Sequence, residues 1–261
     1  MIYAEFGLGH HYWHEPSKTV FCVPPKCGCS AMKYALLMAS HPHFGVLFDG
    51  DTSRVHHFSH LTMVKRKSQI MQAERRIMIA RDPVRRMLSA FLSKFVLNPE
   101  PHITQSVCNF TEFSAEDLSF RQFALALDTI PDTYLDAHFR SQEDFLVMRI
   151  EDYAVVSLDI PSGQAYSSLL NGISPGSVER YFSLLAHEET TNHGALKDGT
   201  PVMASGTFAD MPVKQLRYLR MNGSPLPVEA FAFEGLMDIA KRRYAMDFQI
   251  NAMGKAPDAS A

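Results

Sequence analysis

Thr19-Val-Phe-Cys-Val-Pro-Pro-Lys-Cys-Gly-Cys-Ser-Ala-Met-Lys-Tyr-Ala-Leu-Leu-Met-Ala-Ser40 reads as strand, tight turn and helix in that order. Val20 to Val23 is a short β-rich apolar run, and Ala31 to Ala39 is rich in strong helix formers. The turn between them brings unpaired backbone N–H groups and the positive end of a helix to one point, which suits an anion. Gly28 lets the backbone close on a phosphate, Lys26 adds a mobile positive charge, and Ser30 is expected to cap the helix and offer its hydroxyl. The turn is not a Walker A loop, which ends in Gly-Lys-Ser/Thr; here the Lys precedes the single Gly. By itself the stretch also fits an ordinary βα connection with a surface lysine.

A second stretch narrows the choice. Arg76-Ile-Met-Ile-Ala80 reads as a buried strand and runs into Arg81-Asp-Pro-Val-Arg-Arg-Met-Leu-Ser-Ala-Phe-Leu-Ser-Lys-Phe95. Asp82 is a good N-cap and Pro83 suits the first helical position, so a helix is expected from Pro83 to about Phe95. Arg85 and Ser89, four residues apart, share a face of that helix. Arg81 sits at its mouth, and an Arg with a hydroxyl makes a phosphate clamp.

Together the two stretches resemble a family. Pro25-Lys26-Cys27-Gly28-Cys29-Ser30 is similar to the 5′-phosphosulfate loop of sulfotransferases, and Arg81-Asp82-Pro83-x-x-Arg86-x-x-Ser89-Ala90-Phe91 resembles their 3′-phosphate motif. The forms of both are closest to the membrane-type carbohydrate sulfotransferases, the chondroitin and uronyl 2-O type. Weaker echoes lie at Asp136–Gln142, at Asp144–Asp152 and near Tyr244–Asp247. The resemblance implies an α/β chain with a three-layer, P-loop-like fold, a central parallel sheet flanked by helices. The length suits one domain over residues 1–261, and the small, polar residues of 252–261 are expected to be a disordered tail.

It also implies 3′-phosphoadenosine 5′-phosphosulfate as co-substrate, with adenosine 3′,5′-bisphosphate as product and no metal. Pro25, Lys26, Cys27, Gly28, Cys29, Ser30 and Ala31 would hold the 5′-phosphosulfate, and Arg81 and Ser89 the 3′-phosphate. In the uronyl branch a His-bearing strand between the two motifs supplies the base. Arg54-Val-His-His-Phe-Ser-His-Leu-Thr-Met63 alternates like a strand or its exit, and there His57 matches that context best, with His60 next and His56 beside them. An imidazole is suited to taking the proton of a sugar-type hydroxyl. Polar surface histidines are the plainer reading of the same run.

Composition bounds these readings. At 261 residues the chain suits a single α/β domain, and 46% hydrophobic with 20% charged residues is ordinary for a globular protein. A net charge of −3 argues against a general nucleic-acid binder. No apolar run approaches ~18 residues and the N-terminus lacks a basic region followed by an apolar core, so the expectation is a cytoplasmic, bacterial-type member without a membrane anchor. The four Cys do not make a disulfide framework at this size, and the thiols of Cys27 and Cys29 are expected to be reactive beside Lys26 and a helix N-terminus.

The remaining segments are read more coarsely. Residues 1–18 are an aromatic, His-rich arm expected to pack on the domain, a role in the acceptor cleft being the alternative. Residues 96–118 are a loop over the acceptor site, and Ser119–Leu127 a core helix. Phe145–Ile150 is expected to be a third buried strand, 161–206 a Gly/Ser/Pro-rich excursion with a helix at Val178–His187, and Thr207–Leu219 and Val228–Tyr244 helices. The expected partner is a hydroxylated acceptor: a carbohydrate, a lipid headgroup or a small metabolite. Two rival readings stand beside sulfuryl transfer, a P-loop-like kinase using ATP and a nucleotide-binding module without catalysis.

Overall fold

A computed structural model describes residues 7–48, 54–159, 164–187 and 208–254. In chain order it shows β1 (His11–His14), β2 (Thr19–Cys22), α1 (Cys29–Ser40), α2 (Val55–Phe58), α3 (Lys67–Gln72) and β3 (Arg75–Ala80). Next come α4 (Pro83–Phe91), α5 (Pro101–Cys108), α6 (Phe120–Thr129), β4 (Ala154–Ser157), α7 (Gln164–Ile173) and α8 (Ser177–His187). The chain closes with α9 (Val213–Met221), α10 (Leu236–Arg243) and α11 (Ala245–Met253). These elements fall into two compact units, one drawing its described residues from 1–82, 141–191 and 246–261, the other from 83–140 and 192–245.

The first unit is α/β, with a four-stranded sheet in the order β1-β2-β3-β4. β2, β3 and β4 run parallel, with Phe21 opposite Ile77 and Ile77 opposite Ala154. Alternating side chains send Phe21, Ile77 and Ile79 to one face, where they pack with α1, α7 and α8. Val20 points the other way, into a small cluster with Ile70 of α3, and on that side the Ser157 hydroxyl donates to Asn251 of α11. Helices therefore cover both faces, as a parallel sheet requires.

Some expectations are refined here and others fail, for identifiable reasons. Part of the N-terminal arm is β1, an aromatic edge strand antiparallel to β2. Its outer edge is covered, since Trp13 N–H donates to Thr62 C=O and Val64 N–H to His11 C=O. The expected strand over residues 54–63 is instead α2 followed by a 3₁₀ turn, Ser59–Leu61. Val55, Ser59 and Thr62 are the buried positions, spacings of four and three that outweigh the apparent alternation. The expected strand at Phe145–Ile150 is two 3₁₀ turns and a connector, with the strand starting only at Ala154. That run is apolar because Val147 and Met148 pack on the Val20 cluster and the Phe145 ring meets His10 edge-on at 4.5 Å. The 161–206 excursion carries α7, which the residue pattern did not reveal, ahead of the expected α8. The expected tail at 252–261 lies outside the described residues from 255 onward.

His11 is fully buried in β1. Its Nδ1–H donates to Gly7 C=O at 2.8 Å, which leaves Nε2 to accept the Tyr153 hydroxyl at 2.9 Å. Burial pushes its pKa down to about 4, the Gly7 bond opposing only in part. The neutral ring is thus the folded form. Because the unfolded ring protonates near 6.5, stability is expected to be full above pH ~6.5 and to fall by up to about 3 kcal/mol as pH drops towards 4. Chemical unfolding of the wild type and His11→Gln between pH 7 and 4.5 checks this. A wild-type acid loss no steeper than the variant's would remove His11 from the account.

The second unit is helical. α4 starts at Pro83 as expected and continues through a π-helical turn, Leu92–Leu97, to Asn98. Its core stacks Phe91, Phe95, Phe120, Phe123 and Phe139 with ring centroids 5.3–6.3 Å apart. Residues 96–118 are not an open loop, because Ile103 and Val107 anchor α5 in this core at helical spacing. The expected 228–244 helix is a 3₁₀ turn, Val228–Phe231, and α10, which begins at Gly235 with φ +84. Among the described residues no helix is long and apolar enough to cross a membrane.

Candidate anion site

The loop after β2 ends the strand at Cys22 and starts α1 at Cys29. Two residues in it take left-handed backbone, Lys26 with φ +68 and Gly28 with φ +73. Gly28 rather than Ser30 is the N-cap, and Ser30 is already the second helical residue, so its hydroxyl is not spent on capping. The first helical bond is Met32 N–H to Gly28 C=O, and amides ahead of it find no carbonyl within the helix. Those amides, the positive helix end and the left-handed turn together offer donors of the chemistry that suits an oxyanion.

Tyr166 of α7 packs directly on this turn. Its hydroxyl donates to Gly28 C=O at 2.7 Å, and a Cβ on residue 28 would lie 2.8 Å from that oxygen. Glycine is required here twice over, by backbone conformation and by close approach. Burial raises the Tyr166 pKa well above the ordinary phenol, so it stays a neutral donor.

Arg81 stands at the carboxyl end of β3, next to the loop. Its Nη1–H donates to Lys26 C=O at 2.9 Å, and Nε lies 4.0 Å from Asp159. Asp159 also accepts the Asp82 N–H. The fully buried Gln142 ties this end of β3 to the loop. Its Oε1 accepts the Arg81 N–H at 3.0 Å and the Cys27 S–H at 3.2 Å, while its Nε2–H donates to Arg81 C=O at 2.9 Å. Gln142 is itself held by Asp247 of α11, whose buried carboxylate accepts the N–H of Gln142 at 2.8 and 2.9 Å and the Ser141 hydroxyl at 2.7 Å. The weak sequence echoes at 136–142 and 244–247 thus contribute Gln142 and Asp247 to one buried bracket under the loop.

The other expected residues fall as follows. Pro25 and Cys27 are buried, Lys26, Cys29 and Ser30 are half-buried, and Ala31 is buried at the start of α1. Cys27 is a covered donor rather than the reactive thiol expected, and Cys22 is buried with burial pushing its thiol pKa upward. Ser89 is half-buried on α4 in the second unit, and Arg85 beside it is exposed. Arg86 of the same motif is buried in that unit, donating to Arg140 C=O at 2.6 Å.

The three histidines of the 55–61 segment differ in engagement. His56 places Nε2 3.0 Å from Ser30 Oγ and Nδ1 3.0 Å from Lys33 Nζ. His57 and His60 are exposed. His60 Nδ1–H donates to His57 C=O at 2.8 Å, which leaves Nε2 carrying the lone pair, the tautomer a base needs. The sequence carries no signal for which of the three histidines reaches the loop; the structure puts His56 there.

A comparison with protein families matches residues 10–158, more than half of the chain, to the Sulfotransferase family. No curated protein and no solved structure matches the chain.

Proposed function

The chain belongs to the sulfotransferase family, and on that premise we propose that it transfers a sulfuryl group from 3′-phosphoadenosine 5′-phosphosulfate to an acceptor hydroxyl by in-line displacement. The donor supplies the activated sulfuryl group; the chain positions it and neutralises charge on the departing phosphate. In this reading the loop from Pro25 to Ala31 receives the 5′-phosphosulfate, with the early α1 amides and the Ser30 hydroxyl as donors. Lys26 neutralises the bridging oxygen. The 3′-phosphate goes to Arg81 and Ser89, an assignment that rests on the motif alone. The acceptor proton goes to His57 or His60, since both His56 ring nitrogens are already engaged. A carbohydrate-type hydroxyl is the acceptor class the motifs favour, with a cytoplasmic setting and no metal as the accompanying proposals.

The observation that carries this reading is the Gln142 side chain, which bonds both Arg81 and Cys27. A residue type assigned to the 3′-phosphate and a loop assigned to the 5′-phosphosulfate are thereby held at one end of the sheet. Ligands of open α/β sheets bind at the carboxyl ends of strands, where both lie. Calorimetric titration with adenosine 3′,5′-bisphosphate, ADP and ATP without metal tests it. Micromolar binding that depends on the 3′-phosphate is expected, and Arg81→Ala should cost the bisphosphate about 2–3 kcal/mol more than it costs ADP. Equal losses would move Arg81 off the 3′-phosphate. Preference for ATP with Mg²⁺ would replace this reading with the kinase one.

A further inference from the structure

We propose that Lys33 and His56 form a relay that turns the Ser30 hydroxyl outward as a donor to the anion held by the loop. Both are positioning residues, acting through Ser30. The inference rests on the sulfuryl-donor reading, and its own content is the hydrogen-bond order among three side chains from two elements.

Ser30 and Lys33 lie three residues apart on α1, so they share a face at its first turn. The imidazole of His56, from α2, lies between them, 3.0 Å from each. A lysine ammonium has three donors and no acceptor, so His56 Nδ1 must accept from it. The ring proton then resides on Nε2, which donates to Ser30 Oγ. A hydroxyl oxygen that accepts from the imidazole keeps its own hydrogen for another partner. At the second residue of a helix whose first amides already suit an anion, the partner of matching chemistry is a phosphate or sulfate oxygen.

Lys33 is placed for this task rather than for solvation. Its ammonium lies 5.5 Å from the Tyr12 ring centroid, and burial lowers its pKa from the ordinary lysine range, with Cys29 opposing. An ammonium with reduced hydration makes a stronger bond to the imidazole than a surface lysine would. His56, by contrast, is exposed and is not one of the buried residues of the cluster beneath α1.

The test is a double-substitution cycle read by titration with adenosine 3′,5′-bisphosphate. Ser30→Ala, His56→Ala and Lys33→Met are each expected to weaken binding about 5- to 10-fold, and the Ser30→Ala/His56→Ala pair no more than the worse single change, because the two act as one unit. A conservative pair separates positioning from bulk. His56→Gln puts an amide N–H near the Nε2 position and should keep most of the affinity, whereas His56→Asn, reaching only the Nδ1 position, should behave like alanine. Multiplying losses in the double variant, or equal binding by the Gln and Asn variants, would overturn the relay while leaving the donor assignment intact. A wild-type chain that does not bind the bisphosphate at all would overturn the donor reading and the relay with it. Melting curves of the His56 variants should coincide with the wild type, since His56 is exposed.

Discussion

Lys26→Ala is expected to lower sulfuryl transfer by about 10²–10³-fold, the usual loss when one preorganised charge donor is taken from a transition state. Binding of adenosine 3′,5′-bisphosphate should be nearly unchanged. The division follows from where charge develops: the lysine is assigned to the bridging oxygen, which becomes fully anionic only as the sulfuryl group leaves. In the proposed reading the loop amides and Arg81 hold the phosphates in substrate and product alike. The backbone makes this a clean substitution. Lys26 has φ +68, a conformation that costs any residue with a Cβ about 1–2 kcal/mol, and alanine carries the same Cβ. The carbonyl of residue 26, which accepts from Arg81, is also retained. Single-turnover transfer with labelled donor, alongside calorimetry with the bisphosphate, measures both quantities. A variant that transfers at the wild-type rate would remove Lys26 from the chemistry, and one that loses bisphosphate affinity in proportion would make it a ground-state ligand.

The second large effect is expected at Gln142. Replacing it with leucine keeps most of the volume but strips the N–H and C=O of Arg81 and the thiol of Cys27 of their shared partner. A fully buried polar group that loses its bond costs about 1–3 kcal/mol. The two Arg81 groups are only part-buried and a thiol is a weak donor, so the sum is expected at the low end, about 2–4 kcal/mol. At about 2–4 °C per kcal/mol for a chain of this size, thermal unfolding should shift down by roughly 5–15 °C. The same change should weaken bisphosphate binding, because Gln142 ties the Arg81 backbone to Cys27 of the loop and only the Arg81 bond to Lys26 C=O would remain. Gln142→Glu gives a second view: Oε1 can still accept, but the donor to Arg81 C=O is gone and a charge is buried beside Asp247. A leucine variant that melts and binds as the wild type does would show that the bracket is incidental. One that melts lower but binds normally would confine Gln142 to stability.

Both predictions concern residues of unequal legibility. Lys26 stands in a loop whose strand, turn and helix follow one another directly, so local sequence suffices to identify it. Gln142 could be noticed only as part of a faint echo around residues 136–142, with no reason to connect it to Cys27, 115 residues earlier. Asp247 is further still, 105 residues beyond Gln142, yet it supplies the carboxylate that orients it.

What the chain's local chemistry determined by itself was the pair of strand–turn–helix units. Val20–Val23 and Arg76–Ala80 are short apolar runs, each followed by turn residues and a helix start, and such signals depend on neighbours within a few positions. They suffice for an α/β sheet with parallel β2 and β3, for the loop from Pro25 to Ala31, and for α4 beginning at Pro83. Tertiary structure alone decided the rest. Thr62 and Val64 pair with β1 and so make a strand of the arm, while burial of Val55 and Ser59 makes a helix of a run that alternates on paper. Only contacts across the fold could place Tyr166 on Gly28 and Gln142 between Arg81 and Cys27. They also put His56, rather than His57 or His60, against Ser30. The physical reason is common to all three. Helix and turn propensities are set by sterics within one or two turns, whereas a side chain's hydrogen-bond partner is set by which distant segment packing brings within 3 Å, and no local pattern encodes that.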